Sequence, residues 1–183
     1  MKLVFAALIA LPLAGHAACP PLPDAGDATA THLTDLLTAP DQPTADAIAA
    51  RLWEIWLKAP DAEAQDLLDR AISRRQIFDL ALSEALLDRL IGYCPNYPEA
   101  YNQRAFTRFL AENYEGALAD IDVVLETTPY HFGALSGQAM TYMRQGRPER
   151  AQAALRRAVK VHPYLRERSL IRPGPAPPRE GDL

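Results

Sequence analysis

The 183-residue chain has 2 cysteines and no CxxC pair, so it encodes neither a cysteine-rich scaffold nor a thiolate zinc site. Its 9 glycines and 8% aromatic residues are too few for a many-turned β-sandwich. Positive charge is not in excess. Lys and Arg number 19 against 23 Asp and Glu, a net charge of −4, which argues against wholesale nucleic-acid binding. No P-loop, dinucleotide fingerprint or zinc signature occurs. The one long apolar run, residues 3–13, is too short to span a bilayer and contains Pro12. What is present is one ordinary domain, 49% apolar and long enough to bury a core.

The N-terminus reads as an export signal over residues 1–17. Lys2 gives the positive start, the apolar run follows, and Gly15-His16-Ala17 supplies the small residues of a cleavage site after Ala17, or after Ala18 as second choice. The competing reading is an N-terminal core helix. Cys19 follows directly and raises lipid attachment, which requires an apolar residue where His16 stands. Export places Cys19 and Cys94 in an oxidising space, where a disulfide between them is expected. Closing that loop would contribute about 2–4 kcal/mol; the alternative is two independent thiols. His32, His131 and His162 are scattered, so no metal site and no cofactor is expected.

A 34-residue period organises the rest. Pro95, Pro129 and Pro163 are spaced by 34 and 34 residues. With these prolines at position 32, the units are 64–97, 98–131 and 132–165. Position 8 is Ala71, Ala105 and Ala139, and position 20 is Ser83, Ala117 and Ala151. Position 4 is Leu67, Tyr101 and Leu135, and position 24 is Leu87, Ile121 and Leu155. Small residues let two helices approach closely, large ones fill the space around the contact, and proline ends the second helix. One helix pair cannot bury both faces, so neighbours must stack.

This pattern resembles the tetratricopeptide repeat (TPR) family, a helix–turn–helix unit of 34 residues. The inter-helix segments Tyr114-Glu115-Gly116-Ala117-Leu118 and Gly146-Arg147-Pro148-Glu149-Arg150-Ala151 carry the resemblance most strongly. Residues 30–63 fit loosely, with Leu33, Ala49, Trp53, Trp56 and Leu57 at repeat positions but Pro40 within the first helix. Tyr101-Asn102-Gln103-Arg104-Ala105-Phe106, His131-Phe132-Gly133-Ala134-Leu135-Ser136-Gly137 and the tryptophan pair Trp53/Trp56 are similar to small exported TPR proteins of alphaproteobacteria. The expected fold is an all-α TPR solenoid over residues 29–171: three clear repeats, a degenerate N-terminal one (30–63) and a C-terminal capping helix near 164–170. Residues 18–28 read as an irregular segment and 172–183 as a disordered Pro-rich tail. The expected compartment is the periplasm.

In TPR folds the first helix of each unit lines a concave groove. The resemblance places Arg75, Asn102, Phe106, Phe109, Met140, Met143 and Arg144 there. A lysine-and-asparagine carboxylate clamp is not matched, because Asn102 and Phe106 occupy its positions. The groove suggests an apolar helix or extended segment of an envelope protein as partner. No catalytic set stands out. Gly133-Ala134-Leu135-Ser136-Gly137 misses the nucleophile-elbow spacing and falls in a predicted helix. Asp120, Asp122 and Glu126 read as a solvated face, and His131 and His162 as helix C-terminal caps. The chain therefore reads as a non-catalytic scaffold or adaptor. The alternative is an envelope enzyme subunit, or a cell-wall-associated enzyme framed by the repeats. Residues 19–131 carry 8 basic and 19 acidic side chains, whereas 132–179 carry 10 and 2, which allows membrane contact through the basic end.

Overall fold

The computed structural model describes residues 18–173. The expected signal, residues 1–17, and the tail from residue 174 lie outside the described residues. The described chain forms eight α-helices: α1 (Gly26–Leu37), α2 (Gln42–Trp56), α3 (Ala62–Gln76), α4 (Leu80–Tyr93), α5 (Pro98–Leu110), α6 (Tyr114–Thr127), α7 (Phe132–Arg144) and α8 (Pro148–Val161). The expected capping helix is a 3-10 helix, Arg166–Leu170, rather than an α-helix. The irregular N-terminal segment ends at residue 25, since α1 begins at Gly26. None of the described helices is long and apolar enough to cross a membrane.

Local chemistry sets the helix ends. Asp41, Asp61, Asp79 and Asn113 each accept a hydrogen bond from a backbone N–H in the first turn of α2, α3, α4 and α6. Pro98 and Pro148 open α5 and α8, where a missing N–H costs nothing. The turns inside the three repeats are alike. Each holds one residue in the left-handed region, Phe78 (φ 61°), Glu112 (φ 61°) and Gly146 (φ 67°), spaced by the repeat length. Only Gly146 adopts it without steric cost.

Helices α3–α8 stack in sequence as three helix pairs. The small positions do what their size requires: Ala71, Ala105 and Ala139 are at most 3% exposed, and Ser83, Ala117 and Ala151 are all at 0%. Ser83 donates to Ala71 O at 2.9 Å and meets the Thr107 hydroxyl at 3.1 Å, so its polar atom is satisfied inside the contact. Asp120 overturns its solvated-face reading. It is buried at the join of α4, α5 and α6, held by Arg104 through two hydrogen bonds (3.0 and 2.6 Å) and by Arg108 at 2.9 Å. Arg104 also reaches Asp88, and Arg108 reaches Glu84, both at 2.7 Å. Burial opposes the Arg104 charge, but these paired carboxylates outweigh it and hold the guanidinium above its ordinary value.

The first helix pair takes another place. Leu36, Ala45, Ala49 and Leu52 share a core with Phe132 and Leu135 of α7, Ala158 of α8, and Leu165. Helix α1 meets α8, so the N-terminal pair closes back on the last repeat instead of extending the stack before α3. The expected N-terminal repeat is thus present as a helix pair, but it is not stacked in register with its sequence neighbour. The Cys19–Cys94 disulfide, with Cα atoms 5.1 Å apart, pins the segment before α1 to the end of α4.

Candidate functional site

Helix α2 meets the start of α7, and its two tryptophans make the contact. Trp56 stacks on His131 with ring centroids 3.9 Å apart. Trp53 meets Phe132 edge-on at 5.6 Å. Gly133 makes room for it, since a Cβ there would sit 2.8 Å from Trp53 Cζ2. The Tyr97 hydroxyl donates to Trp56 O at 2.9 Å, fixing the end of α2. Burial, reinforced by Glu99, pushes the Tyr97 phenol well above its ordinary value.

His131 corrects its expected role. It caps the N-terminus of α7, its Nδ1 accepting from Ala134 N–H at 3.1 Å. The ring proton therefore sits on Nε2 and is donated to Glu99 Oε2 at 2.9 Å. Glu99 also accepts from Asn102 Nδ2 (3.1 and 3.2 Å) and from Gln103 Nε2. With both side chains 1% exposed and both ring nitrogens engaged, this pair is a pin between α5 and α7 under α2. His162 follows α8 as expected, but buried. Burial holds it below the ordinary histidine value, with Asp46 of α2 acting in the opposite direction.

Between α2 and the concave helices a cavity of about 350 Å³ remains. Arg75, Asn102, Phe106, Phe109 and Met140, five of the seven groove residues expected from the sequence, line it. Trp53, Gln103, Ile121, Ser136 and the carboxylate-bearing Glu167 also line it. Met143 and Arg144 are not brought to it: Met143 packs beside Ala139, Ala154 and Ile171, and Arg144 is exposed. Arg75 lies over the Phe106 ring at 4.6 Å and donates to Gln103 O at 3.4 Å. No carboxylate among the described residues is within 4.0 Å of it. Burial pulls its guanidinium below the ordinary arginine value, and Glu99 partly offsets this.

The rim carries apolar surface that the sequence reading passed over. Ile77 and Phe78, in the turn directly after Arg75, are 68% and 71% exposed, and Phe106 is 49% exposed. The signal was available: two large apolar residues stand where the third unit has Ala111-Glu112 and the fourth has Gln145-Gly146.

A helical solenoid of stacked helix pairs with a 34-residue period is the TPR architecture. The chain has that fold, and the family resemblance in its sequence stands. No protein-family model matches it. A TPR repeat-containing protein of Rhizobium etli is 38% identical over 77 residues, 42% of this chain and 38% of that protein. The match thus spans well under half of that relative's length. Two solved MamA structures are similar in fold, both with a TM-score of 0.51. One mutant is 14% identical and matches 75% of this chain and 97% of its own. A MamA RS-1 double mutant is 15% identical and matches 78% of each chain.

Proposed function

We propose that the protein is a non-catalytic scaffold of the cell envelope, working in the periplasm, that binds a protein or peptide segment along the open rim of its concave face. The observation that carries this reading is the exposed apolar rim of Ile77, Phe78 and Phe106, in a chain whose other groove aromatics are at least half covered. Phe78 strengthens it. A bulky side chain held at φ 61° costs stability and gains no burial in return. The disulfide supports an oxidising compartment. The partner segment presents apolar side chains to this rim.

The test is affinity capture from an envelope extract by the wild type and by the Phe78→Ser/Phe106→Ser double variant, read by mass spectrometry. A protein retained by the wild type and lost by the folded variant is the expected result. Identical sets of captured proteins would reject the rim as the binding surface.

A further inference from the structure

We infer that the cavity beneath α2 is a binding site for a free α-amino acid with an apolar side chain. This goes beyond the scaffold reading, because the ligand is a small molecule and the cavity is set apart from the exposed turn at Ile77 and Phe78.

The wall carries polar groups that the fold leaves unanswered. Asn102, Gln103 and Ser136 are 8%, 7% and 8% exposed and all border the cavity. Asn102 and Gln103 spend their amide N–H groups on Glu99, and Gln103 Oε1 is left buried with no hydrogen-bond partner. The Ser136 hydroxyl has none among the described residues either. A buried polar atom is nearly always paired, so the Gln103 oxygen on this wall calls for a ligand carrying a hydrogen-bond donor.

Arg75 asks for the opposite group. Its guanidinium fork stands on the same wall, partly desolvated, with no carboxylate in reach. That fork suits a ligand carboxylate. The buried Glu99 lies directly behind the two amides, and its field makes a cationic donor the better match for the free Gln103 oxygen. A carboxylate and an ammonium on one carbon meet both demands. The carboxylate answers Arg75, and the ammonium answers the two acidic groups of the site, Glu167 in the lining and Glu99 behind the amides. Trp53, Phe109, Ile121 and Met140 form an apolar part of the wall that takes the side chain. A volume of about 350 Å³ sits at the lower end of small-ligand sites and cannot admit a helix.

Trp53 and Trp56 are the chain's 2 tryptophans, and Trp53 is in the wall, so intrinsic fluorescence reports occupancy. The disulfide-intact protein is titrated with L-leucine and L-phenylalanine, with melting temperature as a second readout. Two blocked analogues accompany them: L-phenylalaninamide, which lacks the carboxylate, and N-acetyl-L-phenylalanine, which lacks the ammonium. The expected result is a saturable fluorescence change and a raised melting temperature with at least one amino acid. The matching analogues bind at least tenfold more weakly, roughly 1.4 kcal/mol. Arg75→Gln abolishes the response while helicity stays unchanged. Silence toward both amino acids at millimolar concentration would overturn the proposal. So would equal binding of N-acetyl-L-phenylalanine, which would make the ligand a chain terminus, or equal binding of the amide. Undiminished binding by Arg75→Gln would do the same. The analogue series decides the matter without any variant.

Discussion

The N-terminal pair α1–α2 and the stacked helices α3–α8 are built from similar helices but held by different means. In the stack, small residues at two fixed positions bring helices together, and a buried carboxylate clamped by two arginines ties α4, α5 and α6. The first pair keeps Ala49 at one of the two small positions and loses the other. Its counterpart of Ala71, Ala105 and Ala139 is Leu37, which is 53% exposed, while the neighbouring Leu36 is fully buried. A leucine there blocks the close approach of the regular repeat. The pair instead docks through tryptophans, histidine and phenylalanine onto the last repeat, with a disulfide fixing its leading end. The difference shows that the period specifies stacking only where its small positions are kept.

The largest effect should come from the stack. Asp120→Ala leaves Arg104 and Arg108 short of their shared partner and should cost about 3 kcal/mol. Urea unfolding measures it, and a loss no larger than that of an exposed ion pair would show that the clamp does not hold the stack. Next comes the pin on the first pair. Cys19→Ser with Cys94→Ser should cost about 2–4 kcal/mol. Hydrogen exchange should then quicken in α1 and α2 before α3–α8; uniform quickening would show that the two regions are one cooperative unit. Gly133→Ala drives a methyl into Trp53 and should cost about 1–3 kcal/mol, with Trp emission moving to longer wavelength as α2 lifts. An unchanged spectrum would mean that the seam absorbs the methyl.

A smaller effect runs the other way. Phe78→Gly and Glu112→Gly, at the left-handed turn positions that Gly146 fills in the last repeat, should each raise stability by about 1 kcal/mol. A fall in melting temperature would show that these side chains stabilise the turns. The last effect is confined to the seam. His162 is held below the ordinary value of 6.5, so the unfolded chain takes up its proton first as pH falls. Stability should therefore be level above about pH 7 and decline as pH drops through 6.5. His162→Gln should flatten that decline; an equal decline in the variant would assign it elsewhere.

Much of this was legible in the residues. The stacked repeats follow from residue size at fixed intervals, a local and one-dimensional property, so the three helix pairs of α3–α8 fall on the units expected at 64–97, 98–131 and 132–165. Five of seven groove positions share one cavity because they recur on the same helix face. The fold-back of α1–α2, the N-terminal cap by His131 and the burial of Asp120 were not legible. Each depends on which distant side chain arrives opposite, and spacing does not encode that. Met143 and Arg144 missed the cavity for a related reason: they lie at the end of α7, beyond the span that α2 covers.

Sequence alone determined the all-helical repeat, the turn positions and the pairing of two cysteines, because propensity, period and compartment act on neighbours or on a single possible partner. Tertiary structure alone decided that the first helix pair docks on the last repeat, leaving a small cavity with Arg75 out of reach of any carboxylate and the Gln103 amide oxygen unanswered. That arrangement is chosen by the fit of Trp53 and Trp56 against His131, Phe132 and Gly133, a complementarity of shapes that exists only once the stack is formed.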